Sequence, residues 1–149
     1  MKWEDSKEVV TILPFVGGKV LMQLRDFDSR IRHPGTWSYF SGSIKIGEKP
    51  EQAVRRELLE EIGYVAGEIT ELGRLLIAEM NNLVSYTYCC TLDRPLDQLR
   101  LNEGVEMTLV SPEEIVGKRI YSQSLKQFFP VAPTTYMHQA LSLALAARK

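Results

Sequence analysis

The sequence predicts an α/β or α+β sandwich, a mixed β-sheet with helices packed on it. Three observations carry that expectation. Strand-type patterns come first and in hairpins, one helical pattern stands mid-chain, and an alanine- and leucine-rich one closes the chain. The regular strand–helix alternation of a doubly wound parallel sheet is absent. The chain has 149 residues with no repeat, linker or low-complexity stretch, so residues 1–149 are expected to form one domain. A chain of that length can bury a sizeable core without staples.

The elements follow in order. Val9 to Val16 reads as a strand, Gly17-Gly18 as a two-residue hairpin turn, and Lys19 to Arg25 as the antiparallel return, with Val20, Met22 and Leu24 on one face. Asp26 to Trp37 is polar and turns at His33-Pro34-Gly35. Trp37 to Lys45 is extended. Pro50 to Ile62 reads as a helix, with proline suited to its first turn and Gly63 to its stop. Ile69 to Met80 and Leu83 to Leu92 read as strands joined at Asn81-Asn82, and Arg94 to Asn102 as a loop. Met107 to Val110 is a short strand. Ser111-Pro112-Glu113-Glu114 is a capping box that starts a short helix ended by Gly117. Tyr121 to Pro133 is expected to cover the core, ahead of lining a substrate pocket or meeting a second subunit, and Thr134 to Arg148 to form the last helix.

Bulk chemistry narrows the function. The formal net charge of −1 argues against a nucleic-acid binder working through a general basic field. The two cysteines, Cys89 and Cys90, are adjacent and would point to opposite faces of a strand, so they are expected as buried thiols in a reducing compartment. Met1-Lys2-Trp3-Glu4-Asp5 has no apolar core of a signal peptide, and no apolar run approaches the ~18 residues of a membrane span. A cytoplasmic protein is expected. His33 and His138 have no zinc-type partners, and neither a Ser-His-Asp order nor a nucleophilic cysteine context is present.

The mid-chain helix carries too many carboxylates for comfort. Glu57, Glu60 and Glu61 stand at i, i+3 and i+4, within about a third of the circumference at ~100° per residue. Val54, Leu58 and Ile62 form the adjoining apolar arc, so the glutamates project from the edge of a buried face. Like charges at this spacing repel, and the C-terminal half of a helix disfavours anions. A divalent cation would resolve both costs, since hard oxygen ligands suit Mg²⁺. A solvated acidic face partnered by Arg55 and Arg56 is the competing reading of the helix alone.

The surrounding residues decide between them. Gly42, then Glu48 six residues on, then Arg56-Glu57-Leu58-Leu59-Glu60-Glu61-Ile62-Gly63-Tyr64 resembles the Nudix box. Every fixed position matches except the last, where Tyr64 replaces an aliphatic residue. At average residue usage the remaining matches would arise by chance in a chain this long roughly once in ten million. His33-Pro34-Gly35-Thr36-Trp37 with Tyr39-Phe40-Ser41-Gly42 is similar to the family's lead-in, although Ser41 and Ser43 stand where glycine is frequent. The resemblance spans about residues 9 to 117.

The resemblance implies an α/β/α sandwich around a mixed sheet and a metal-dependent pyrophosphohydrolase. Such an enzyme cuts a diphosphate linkage in a nucleoside diphosphate joined to another group. Nucleoside triphosphates come first as substrates, then sugar nucleotides and dinucleoside polyphosphates. It also implies Mg²⁺, or Mn²⁺, held by Glu57, Glu60 and Glu61, with the Ser41 carbonyl beside Gly42 and a distal acid for which Glu106 is preferred and Glu103 is the fallback. One of the box glutamates, Glu57 first and Glu60 among the candidates, or a later acid would activate water. Glu48 and Arg56 are expected to lock loop to helix; Arg56 is also a catalytic candidate, and Glu48 a substrate-binding one. Arg25 and Trp37 are candidate substrate contacts, as are Phe40, Tyr86 and Tyr88, although aromatic residues in strands are commonly core. The proline that ADP-ribose enzymes often carry past the box is absent around Glu79. The implied partner is a small nucleotide, and relatives often form homodimers. The alternative is a catalytically silent nucleotide-sensing module, which usually loses a box glutamate; all four are present here.

Overall fold

The computed structural model describes residues 7–148, so the charged Met1–Asp5 segment lies outside the described residues. Among the described residues a seven-stranded sheet forms around β1 (Glu8–Val16). On one side β1 pairs antiparallel with β2 (Lys19–Leu24) near the hairpin and with β4 (Phe40–Ser43) at its other end. On the other side it runs parallel to β6 (Leu83–Thr91), which pairs antiparallel with β5 (Ile69–Ile77). β2 also carries β3 (Trp37–Ser38) and β7 (Glu106–Val110), both antiparallel. One parallel pair among antiparallel ones makes the sheet mixed, as the sequence predicts.

Both faces of the sheet are covered, which explains the nearly continuous apolar run of β1. Val10, Ile12, Leu21 and Phe40 pack beneath α1 (Pro50–Ile62) through Val54, Leu58 and Ile62. Val9, Leu13, Phe15, Val20, Met22 and Leu24 form the opposite core with α2 (Pro112–Val116) and α3 (Tyr136–Ala147). Alternate residues of one strand thus feed two cores, and the architecture is an α/β/α sandwich.

Local chemistry sets the ends. Pro50 opens α1, the Gln52 side chain accepts from the Lys49 N–H at 2.8 Å, and Gly63 closes the helix at φ 68°. Tyr64, the departure from the box pattern, is 1% exposed and sends its hydroxyl to Asp93 at 3.0 Å. A buried aromatic ring therefore fills the place of an aliphatic one. β5 stops at Ile77, short of the expected Met80, because Ala78–Met80 tightens into a 3₁₀ turn. Asn81 and Asn82 then both take positive φ, which asparagine tolerates well.

The stretch expected merely to cover the core is in part a hairpin of β8 (Arg119–Ser122) and β9 (Gln127–Pro130), a separate two-stranded sheet. Ile120 and Val131 enter the core, while Tyr121, Leu125 and Phe128 stay exposed. Cys89 and Cys90 are buried and unpaired, and burial raises both thiols, Cys90 up to about 12.

Candidate active site

α1 holds the site at the rim of its buried face. Ala53, Val54, Leu58 and Ile62 anchor the helix to the sheet, and this rotation leaves Glu57 and Glu61 each 8% exposed. Glu60 lies on the outward side. The three glutamates line a cavity of about 800 Å³ together with Arg25, Ser41, Gly42, Arg56 and Glu103. That volume suits a nucleotide-sized ligand. Six carboxylates line it against three cations: Asp26, Asp28, Glu57, Glu60, Glu61 and Glu103 against Arg25, Lys45 and Arg56.

Gly42 is required for shape. A Cβ at this position would overlap the Glu57 carboxylate. β4 can therefore run against the side chain of α1, placing the Ser41–Gly42 backbone beside the acid.

Arg56 organises the loop. It binds Glu48 in two-pronged fashion, Nε to Oε2 at 2.7 Å and Nη2 to Oε1 at 2.8 Å, and donates to the Ser43 carbonyl at 2.7 Å. Glu48 in turn accepts from the Lys45 N–H at 3.0 Å. Hydrogen bonds from Arg56 hold the Glu48 carboxyl below its ordinary range. The remaining nitrogen reaches into the cluster, 2.6 Å from Glu57 Oε1 and 3.3 Å from Glu60 Oε2. Glu48 itself is not among the cavity-lining residues.

The electrostatics show why the cluster is tense. Burial raises the Glu57 carboxyl, and Glu60 and Glu103 add to the shift against Arg56. Glu61 is pushed up to about 8, by burial first, then by Glu103 and Glu57, with Arg25 opposing. Glu61 Oε2 is buried without a hydrogen-bond partner among the described residues. Two buried carboxylates in mutual repulsion, one with an orphan oxygen, form a donor set that fits a hard divalent cation. No three acidic or imidazole groups converge into a ready-made cage among the described residues. Arg56 bridges Glu57 and Glu60 instead.

The later acid that lines this cavity is Glu103. The loop before β7 docks on the end of α1: Asn102 N–H to the Glu61 carbonyl at 2.9 Å, and Asn102 Nδ2 to the Glu60 carbonyl at 2.6 Å. This carries Glu103 over the cluster. Glu106, the preferred choice from sequence, does not line the cavity. Its carboxylate accepts from Ser122 Oγ and Ser124 Oγ, each at 2.6 Å, and from the N–H groups of Gln123 and Ser124. Burial opposes its ionisation, yet these donors hold its carboxyl below the ordinary range. Glu106 thus closes the β8–β9 turn. The reason lies in register: its backbone pairs with Leu24 inside the sheet, whereas Glu103 is in the free loop.

The aromatic candidates also separate. Trp37 is fully buried and donates Nε1–H to the Ile120 carbonyl at 3.0 Å, so it is core and not a stacking surface at this cavity. Phe40 and Tyr88 are core as well. Arg25 lines the cavity and donates Nε–H to the Arg32 carbonyl at 2.9 Å. Sequence reading missed a small second cavity of about 40 Å³ that shares Arg25 and Ser41 with the first. His33 and Ser38 line it, and each has a buried polar atom without a partner. Only their place in the lead-in motif could have hinted at this.

Comparison with known proteins gives the family and the fold. The chain is 38% identical over 72 residues to the oxidized purine nucleoside triphosphate hydrolase of Danio rerio, covering 47% of this chain and 43% of that one. It spans less than half the length of the curated relatives it matches. Among solved structures it is similar to the E. coli dihydroneopterin triphosphate pyrophosphohydrolase, with a TM-score of 0.69, 16% identity, and 95% and 97% of the two chains covered. It is similar too to the NUDIX domain of Shewanella oneidensis NrtR complexed with ADP ribose, with a TM-score of 0.66, 16% identity, and 95% and 88% covered. At these identities the two structures speak for the fold. The family model described as the NUDIX domain matches residues 6–131, and the chain belongs to that family.

Proposed function

We propose that the chain is a metal-dependent pyrophosphohydrolase acting on a nucleoside diphosphate joined to another group, with nucleoside triphosphates first among its substrates. The observation that carries this reading is the pair of buried carboxylates, Glu57 and Glu61, facing a nucleotide-sized cavity beside Glu60 and Glu103. Glu57, Glu60 and Glu61 would hold Mg²⁺ or Mn²⁺, with Glu103 and the Ser41 carbonyl as further oxygen donors. Once bound, the metal supplies charge neutralisation on the phosphate oxygens and a more acidic water. Glu57 takes the proton of the attacking water, and Arg56 holds Glu57 in place. Water adds to one phosphorus as a bridging P–O bond breaks, so that two phosphorylated products leave. Arg25 pairs with a phosphate oxygen. Residues 1–149 act as one domain, and the buried free thiols suit a reducing cytoplasm.

The test is a screen of purified protein against nucleoside triphosphates, sugar nucleotides, ADP-ribose and dinucleoside polyphosphates, with Mg²⁺, Mn²⁺ or chelator. Turnover that requires metal supports the reading, and the rank of rates names the substrate class. Tight binding of a nucleotide without turnover on any compound would replace it with a sensing module. The same preparation run by size-exclusion chromatography tests for a homodimer.

A further inference from the structure

Five hydroxyl groups connect through the sheet to the cavity: Thr87, Tyr136 and Ser85 meet in a triangle, with Ser85 and Thr87 3.2 Å apart, and from Ser85 the line runs on through Thr11 to Ser41. Their contacts are Thr87 Oγ1 to Tyr136 Oη at 2.7 Å, Tyr136 Oη to Ser85 Oγ at 2.9 Å, Ser85 Oγ to Thr11 Oγ1 at 2.8 Å, and Thr11 Oγ1 to Ser41 Oγ at 3.0 Å. Four of the five groups are buried; Ser41 alone is half-buried, where the two cavities meet. Each hydroxyl has one proton, so the line has a direction. Ser85 donates to Thr11. Its proton spent, Ser85 must accept from Tyr136. Tyr136, its own proton spent, accepts from Thr87 at the shorter of that hydroxyl's two contacts, the Ser85 carbonyl being its longer acceptor at 3.4 Å. Thr11 must place its proton somewhere inside the protein. The Tyr136 oxygen is near Thr11 but without hydrogen-bond geometry to it, and Ser85 is already its donor, which leaves Ser41 as the acceptor of good geometry.

From this counting we infer that Ser41 Oγ–H is left over at the end of the line and is a specificity-determining donor to the substrate. It has no other hydrogen-bond partner among the described residues, and the chain behind it strengthens it cooperatively. It recognises an acceptor oxygen of the substrate, either a phosphoryl oxygen or a carbonyl on the group that remains attached. Thr11 and Tyr136 are positioning residues, acting through Ser41. The inference rests on the proposed substrate class only for its kinetic consequence; the direction of the line stands on the hydroxyl geometry.

Two measurements decide it. Neutron diffraction from deuterium-exchanged crystals should place deuterons along Thr87, Tyr136, Ser85 and Thr11 toward Ser41, with the Ser41 deuteron in the cavity. A Ser41 deuteron aimed at Thr11 would overturn the inference. In kinetics with dGTP, Ser41→Ala should raise KM about tenfold, the weight of one hydrogen bond to a charged or buried acceptor, with kcat little changed. Tyr136→Phe should raise KM in the wild-type background and do nothing further in Ser41→Ala, while Thr11→Ser retains wild-type KM. A merely structural network gives the opposite pattern, with additive losses and a KM indifferent to Ser41. Inorganic triphosphate, used as an inhibitor, separates the two acceptors. Weaker inhibition in Ser41→Ala assigns a phosphoryl oxygen, and unchanged inhibition with a raised dGTP KM assigns the attached group. If the wild-type protein fails to turn over dGTP, the triphosphate reading falls and the neutron map still decides the direction of the line.

Discussion

At the scale of single residues, the site depends on one missing atom and one uncomfortable carboxylate. Gly42 has no Cβ because Glu57 occupies that space. Gly42→Ala should therefore displace Glu57 and lower kcat/KM by about 100-fold, as for a misplacement of roughly 1 Å near the chemistry, with the fold retained by circular dichroism. Glu61 makes a prediction about pH. Its carboxyl is raised to about 8 in the folded chain, so its contribution to stability is present below the ordinary carboxyl range. That contribution is lost as pH rises from there through about 8. In chelator, Glu61→Gln should be more stable than wild type at pH 8.5, by about 1 kcal/mol or more, and should lose that advantage toward pH 4. Paired thermal melts at the two pH values measure it; equal differences at both would show that Glu61 is not destabilised by its neighbours. These residue identities were open to sequence reading because the box spacing is dense. The preference for Glu106 over Glu103 does not match the cavity lining, because spacing cannot tell which acid lies in the ladder and which in the free loop.

At the scale of elements, the lead-in loop and α1 are one unit, joined by Arg56 and Glu48. The pair is mostly buried and two-pronged, so removing one partner leaves an unpaired charge. Glu48→Ala should cost about 3 kcal/mol in denaturant unfolding and should also lower turnover, because Arg56 then loses its hold on the loop. Glu48 is held below its ordinary range, so its stabilisation is present above that range and lost as pH falls through the depressed value. Acid unfolding of Glu48→Gln should accordingly be shallower than that of wild type. The β8–β9 hairpin gives a contrasting expectation. Glu106→Gln should loosen that turn, seen as faster amide exchange at Gln123 and Ser124, while leaving the metal concentration dependence unchanged. Glu103→Gln should shift that dependence several-fold. The helix and the first hairpin were legible from periodicity and turn residues. The β8–β9 hairpin was not, since its strands are four residues each and its outward aromatics hide the alternation.

At the scale of the whole molecule, the sheet sorts function by face. β1 sends Val10 and Ile12 beneath α1 and the metal-type cluster, while Thr11 lies among hydroxyls that lead to α3. The class of fold followed from element order; the two cores emerge in the structure, where alternate residues of β1 feed opposite faces. Of the three partners of β1 only β2 had a local signal, the Gly17-Gly18 turn; β4 and β6 reach it through tertiary contact. Glu57, Glu60, Glu61 and Glu103 are proposed to form one metal-dependent hydrolytic centre. The most direct measurement is the initial rate of dGTP hydrolysis against Mg²⁺ concentration for wild type, Glu60→Gln and Glu61→Gln. A single metal-dependent centre gives no rate in chelator, saturation with Mg²⁺ in wild type, and a loss of at least about 100-fold in both variants. Hydrolysis that persists in chelator, or variants that keep the wild-type rate and Mg²⁺ dependence, would contradict it.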